Sequence, residues 1–336
     1  MADEERGDGE STLTVVVALA ANAAIAVMKA VAGVLTGSAA LLAEAAHSVA
    51  DTSTEGLLLA ALRRSEKPAD RRYPFGYGKV RFFWSLIAAV SIFVTGAMFA
   101  VYEGLRTIFG GGTEQTLAWV AFLVLGFSFV MEGISWIRAV HQIRREKHEA
   151  GLNLLDHLRI TDDPTVKTVF YEDTSALIGL LIAFAGVGLH VLTGSAFWDG
   201  LASLLIGVLL VGVAYLLGRT NMRLLIGRQA DERLVRAIYS RLDATPEVDQ
   251  VVDLLTMLMG TDKVLLCARI DFVNSLSVAE LERACVRIDG ELRREFPDLD
   301  EVFLEPVPRS DPALRRRVVD RYGSALARSP QDPETP

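Results

Sequence analysis

Cysteine is scarce in this chain. Cys267 and Cys285 are the only two, and neither sits in a CxxC. That excludes a disulfide framework and a zinc ribbon, and it leaves two thiols expected to be buried in a reducing compartment. Histidine is sparse, with five in all and none beyond residue 229. His141, His148 and His157 are too spread out to form a metal-storage tract, and His190 reads as a hydrogen-bonded side chain near the end of an apolar run. Proline is missing from every long apolar run, so no kink is expected in them. No HExxH or GxSxG falls in those runs, which leaves an intramembrane hydrolase without a motif. Residues 1–10 lack the basic start and cleavage site of a secretory signal, and they are too acidic for a mitochondrial transit peptide. A net positive charge is missing as well. The net of -8 divides into about -4 for residues 1–10, about +2 for 11–228 and about -6 for 229–336, so nucleic acid is not an expected partner.

What the chain has in abundance is apolar sequence in blocks. It is 51% hydrophobic with mean hydropathy +0.32, too apolar for an ordinary soluble domain of 336 residues. Six stretches have the length a bilayer requires: about 13–36, 37–62, 82–109, 117–137, 169–192 and 197–217. The first is uncharged until Lys29. The turns after the first, third and fifth are short, glycine-containing and free of Lys and Arg. The other connections are basic, with Arg63, Arg64, Lys67, Arg71, Arg72, Lys79 and Arg81 in one, Arg138, Arg144, Arg145, Lys147, Arg159 and Lys167 in the next, and Arg219, Arg223 and Arg228 in the last. The positive-inside rule places all three, and so both termini, on the cytoplasmic side.

From about residue 230 the pattern becomes that of a small soluble domain. A helix is expected at 231–242, with Leu234, Ile238 and Leu242 on one face. Strands follow at 251–259 and 264–272 around a Gly260-Thr261-Asp262 turn, then a helix at 278–296 with Val278, Leu281, Cys285, Ile288 and Leu292 on one stripe. Pro297 ends that helix, and a strand follows at 301–304. The order α-β-β-α-β predicts a small α+β domain. After Pro306 a short helix near 313–326 and a disordered end are expected.

The second apolar stretch, residues 37–62, is the unusual one. It carries Glu44, His47, Asp51 and Glu55, spaced by three, four and four residues, so all four lie along one helical face. Ionisable groups at membrane depth are costly and face a polar interior. His and Asp at i and i+4 can chelate one divalent ion, or they can simply bond each other in a packed bundle. Glu172 and Asp173 open the fifth stretch, either as functional acids or as charges at a helix N-terminus. Glu132 lies inside the fourth with no basic partner nearby in sequence, as a proton site or a neighbour of the ligands. Asp199 reads as a helix cap.

His47-Ser48-Val49-Ala50-Asp51, the surrounding GSAALLAEAAHSVADT and the later YPFGYGKVRFF resemble the cation diffusion facilitator family. The resemblance runs from about residue 13 to 306. It implies a polytopic α-helical membrane protein with six transmembrane helices, cytoplasmic termini, a C-terminal cytoplasmic α+β ferredoxin-like domain and a homodimer. The boundaries expected are an acidic tail at 1–11, the membrane domain at 12–228, the ferredoxin-like domain at 229–308 and a tail at 309–336. The family's second HxxxD pair is altered here. Asp173 takes the aspartate position, Val169 stands where histidine would be, and Glu172 is the nearest replacement. The stretch DPTVKTVFYEDTSALIGLLIA is closest to the divergent branch that includes the animal zinc transporter 9.

The resemblance implies a proton-coupled exporter of a divalent cation, Zn²⁺ before Mn²⁺ or Fe²⁺, in the cell membrane of a bacterium. His47, Asp51, Asp173 and Glu172 would hold the metal, with Glu132 beside them and Glu44 orienting the His47 imidazole through its second nitrogen. The metal and protons would be cargo, so no cofactor is expected. A non-transporting, metal-sensing membrane scaffold is the other reading these residues leave open.

Overall fold

The computed structural model describes residues 2–112, 115–150 and 164–322. Ten α-helices and three strands are seen among them. Helix α1 (Ala2–Thr36) is continuous with the stretch expected to be a tail, and α2 spans Ala39–Ser65. Helix α3 (Lys79–Ser91) passes through a π-helical turn, Ile92–Ala97, into α4 (Met98–Gly110). Helices α5 (Ala118–Ala150), α6 (Pro164–Thr193) and α7 (Phe197–Ile226) complete the first compact unit. Five of these helical stretches, in α1, α3–α4, α5, α6 and α7, are long and apolar enough to cross a membrane. The sixth is α2, whose acids lower its hydropathy and which touches α1, α3, α4, the π turn and α6. Large apolar side chains such as Val34, Phe109 and Leu192 face outward from the unit. That is what lipid, rather than water, accommodates.

Two details of this unit depart from the expectations. The third span has no proline, yet its α ladder is interrupted at Ile92–Ala97. There the Thr95 hydroxyl donates back to the Ser91 carbonyl at 2.7 Å, a local competitor for backbone bonding that can disturb a helix as proline does. Helix α5 continues well past residue 137, so Arg138 and His141 lie on a helix and not in a loop. His157 and Arg159 lie outside the described residues, and so do the side chains of Arg144, Arg145, Lys147, His148 and Lys167.

The second compact unit begins at Ile226 and also takes in Ala69–Gly78, which the sequence had placed with the membrane domain. Gly78 explains the grouping. A Cβ there would sit 2.4 Å from the Met259 carbonyl oxygen, so only glycine lets the two backbones meet. The order is α8 (Glu232–Asp243), β1 (Val248–Gly260), β2 (Lys263–Phe272), α9 (Val278–Glu295), β3 (Leu299–Pro306) and α10 (Pro312–Tyr322). This is the α-β-β-α-β order expected of a ferredoxin-like domain. Strands β1 and β2 are antiparallel across the Thr261-Asp262 turn, and β3 adds parallel to β2. That parallel pairing needs a crossover, which α9 supplies. Val264, Leu266, Ala268, Ile270 and Phe272 of β2 are buried at every second position. Ile238 and Leu242 of α8 and Ala284, Ile288 and Leu292 of α9 are also buried.

Ser277 and Glu280 form a capping box that starts α9. Val278 is 74% exposed, so it does not share the buried stripe. Cys267 and Cys285 are free but half-buried, not fully buried as expected. Burial pushes both thiols up, so neither is a reactive thiolate at neutral pH.

Candidate functional site

Helix α2 is held at its start by an acid from another helix. The Ser38 hydroxyl donates to Asp199 Oδ1 at 2.8 Å, the Ala39 amide donates to Asp199 Oδ2, and the Leu41 amide donates to Ser38 Oγ at 3.2 Å. Asp199 is therefore a helix cap as expected, but it caps α2 and not its own α7. An anion at a helix N-terminus satisfies free amides and complements the dipole. The clamp fixes the rotation of α2 and so the direction of its polar face.

Along that face, Glu44 and His47 are buried and Asp51 is half-buried. His47 Nδ1 lies 3.4 Å from Asp51 Oδ1, a contact without hydrogen-bond geometry. Neither imidazole nitrogen, nor Asp51 Oδ1, has a hydrogen-bond partner among the described residues. Glu55, the last acid of the face, accepts from the Asn22 amide of α1.

Glu44 does not reach His47. Its Oε2 accepts from Lys29 Nζ at 3.2 Å, and Lys29 also donates to Ser48 Oγ at 2.9 Å and to Glu132 Oε1 at 2.7 Å. Lys29 is fully buried. Glu132 thus has the basic partner that sequence proximity did not reveal, 103 residues away on α1. Room for Glu44 is made by Gly179 of α6, where a Cβ would stand 2.3 Å from Glu44 Oε1.

The two acids of α6 diverge. Asp173 accepts from Ser135 Oγ of α5 at 3.2 Å, and Trp136 Nε1 donates to Thr174 Oγ1 at 3.0 Å beside it. Glu172 is buried, with Oε1 unpartnered among the described residues. Glu172, Glu132, Lys29 and Asp173 all lie within Coulombic range of Asp51. Neighbours on a helix point about 100° apart, which accounts for the split. Among the described residues, no three His, Cys, Asp or Glu side chains converge closely enough to hold a metal ion. The structure brings His47 and Asp51 together, sets Glu172 and Asp173 within electrostatic range, and ties Glu44 and Glu132 to Lys29.

His190 is buried, and its Nδ1 has no partner among the described residues. Lys29 is the residue that sequence reasoning passed over. Its signal was a single cation in an otherwise apolar span.

Comparison with known proteins places these features. A family model described as the cation efflux transmembrane domain matches residues 15–226. The Xenopus laevis protein described as "Proton-coupled zinc antiporter SLC30A9, mitochondrial" is 34% identical over 258 residues, covering 77% of this chain and 46% of that protein. Metal tolerance protein C4 of Arabidopsis thaliana is 29% identical over 291 residues, 87% of this chain and 62% of its own length. The manganese efflux system protein MneP of Bacillus subtilis (strain 168) is 24% identical over 301 residues, 87% of this chain and 94% of its own. The chain spans about half the length of the Xenopus relative. It is a multi-pass membrane protein, and it belongs to the cation diffusion facilitator family as a relative of zinc transporter 9.

Proposed function

We propose that this chain exports a divalent cation, zinc before others, in exchange for protons. The observation that supports this most is the His47–Asp51 pair. Two metal-donor side chains lie one helical turn apart in a membrane domain of the cation efflux family, with both imidazole nitrogens and Asp51 Oδ1 unengaged among the described residues. An imidazole nitrogen with carboxylate oxygens suits the tetrahedral preference of zinc. Glu172 and Asp173 are the residues in line to complete the set, after a movement that draws α6 toward α2. Binding needs neutral imidazole and ionised carboxylates, so loading metal displaces protons and protonation releases it. That competition, with helices rocking between inward-open and outward-open states, would couple efflux to proton entry.

Manganese is the second reading. The Bacillus relative is named for manganese efflux and is matched over nearly its whole length, and a donor set rich in carboxylates suits harder ions. The rest of the proposal is a homodimer in a bacterial cell membrane, both termini cytoplasmic as the Lys and Arg bias argues, with no enzymatic activity and no resident cofactor.

The test is flux of Zn²⁺, Mn²⁺, Fe²⁺ and Cd²⁺ through purified protein in liposomes, at fixed voltage, with a pH gradient imposed or collapsed. Zinc flux driven by the gradient and abolished in a folded Asp51→Asn variant is the expected outcome. Wild-type flux in that variant would remove Asp51 from the site, and flux indifferent to the gradient would remove antiport. If no metal moves, a metal-sensing scaffold takes the place of the transporter.

A further inference from the structure

We propose that Lys29 determines ion specificity: its ammonium ion holds Glu44 and Glu132 away from the transported cation and keeps the donor set short. This rests on the transport reading above. An ammonium has three protons to donate. Lys29 uses them on Glu44 and Ser48 of α2 and Glu132 of α5, at 3.2, 2.9 and 2.7 Å. Both carboxylates stand beside the His47–Asp51 pair. Glu44 is one turn before His47 on the same face, Ser48 is the next residue after it, and Glu132 lies within Coulombic range of both Asp51 and Asp173. Each spends one oxygen on Lys29, and Glu44 Oε1 and Glu132 Oε2 have no partner among the described residues.

Released from Lys29, these two groups would surround the pair with extra hard oxygen donors. Six or more oxygens suit manganese-like and calcium-like ions, whereas a short set containing imidazole suits zinc. A charge buried this fully is costly, and an apolar side chain of similar length would fill the same space without that cost. A tethered cation does what an apolar residue cannot, because it holds one oxygen of each of two acids without letting a divalent ion bridge them.

The test uses the full chain in detergent micelles, with Zn²⁺ and Mn²⁺ affinities measured by calorimetry and folding followed by thermal unfolding. Wild type should prefer zinc. Lys29→Met frees both carboxylates, and the zinc-over-manganese ratio should fall by about tenfold or more, the equivalent of one charged contact. Lys29→Arg keeps the cation and should keep the ratio. Glu44→Gln and Glu132→Gln remove groups already withheld, and each should leave the ratio within about twofold of wild type. Should Lys29→Met not fold, Lys29→Met with Glu132→Gln strands one acid instead of two, and the ratio should fall in the same direction. An unchanged ratio in folded Lys29→Met, or in folded Lys29→Met with Glu132→Gln, overturns the proposal, and so does a large shift in Lys29→Arg or in either single glutamine variant. Wild type binding neither metal overturns the transport reading and this one with it. A zinc-preferring wild type with an unaltered Lys29→Met ratio overturns this one alone.

Discussion

Gly179→Ala is a small change whose effect follows from one distance. The added methyl would meet Glu44 Oε1 at 2.3 Å, Glu44 Cδ at 3.5 Å and nothing else closer than Ile206 Cγ1 at 4.0 Å. A carboxylate at the end of a flexible side chain would ordinarily swing aside. Here Glu44 is fully buried and its other oxygen is on Lys29 at 3.2 Å, so moving it loosens a charged hydrogen bond. That loss costs about 1.5–3 kcal/mol. Replacing a mid-helix glycine with alanine returns about 0.5–1 kcal/mol. The net destabilisation is about 0.5–2.5 kcal/mol.

Gly212 of α7 is the control, since a Cβ there meets nothing within 4 Å. Gly212→Ala should stabilise by the helix term alone, so the two alanine variants should differ by about 1.5–3 kcal/mol. For a membrane domain of this size that is several degrees of unfolding temperature, at about 2–4 °C per kcal/mol. Thermal unfolding in one detergent resolves it. In a Glu44→Ala background the clash is gone, and Gly179→Ala should become as benign as Gly212→Ala. Equal stability of the two single variants in the Glu44-containing protein would refute the packing described for Glu44.

The acids of α6 separate by their surroundings. Glu172→Gln should weaken zinc binding at least as much as Asp173→Asn, because Glu172 Oε1 is buried without a partner among the described residues while Asp173 is engaged by Ser135; calorimetry of both variants checks this, and loss confined to Asp173→Asn would return the ligand role to Asp173. In the second unit, Asp70 accepts from the Tyr77 hydroxyl and from the Tyr73 and Arg72 amides, which hold its carboxyl below the usual range. A lowered folded-state value means the loop's contribution is present above the ordinary carboxylate value of about 4 and fades as pH falls through the folded one. Amide exchange at Tyr73 should therefore show constant protection from pH 7 to about 5 and loss below about 4, and unchanged protection at pH 2 would count against it.

The sequence by itself determined whatever depends on near neighbours along the chain. Helical spacing alone put Glu44, His47, Asp51 and Glu55 on one face, and the His47–Asp51 contact is an i,i+4 contact. Alternation and the Gly260-Thr261-Asp262 turn were enough for the β1–β2 hairpin, and the small domain followed in the order expected. The structure decided what depends on distant parts of the chain meeting. Lys29 finds partners 15, 19 and 103 residues away, and Asp199 caps a helix that begins 160 residues earlier. Gly179 makes room for an acid on another helix, and the six residues from Ile92 to Ala97 leave the α ladder without a proline to announce it. The physical reason is one of range. A helix has a fixed rise and turn, so its faces can be computed from spacing. Which faces meet is set by the packing of the whole bundle, and a buried charge takes whichever partner that packing brings within hydrogen-bond reach.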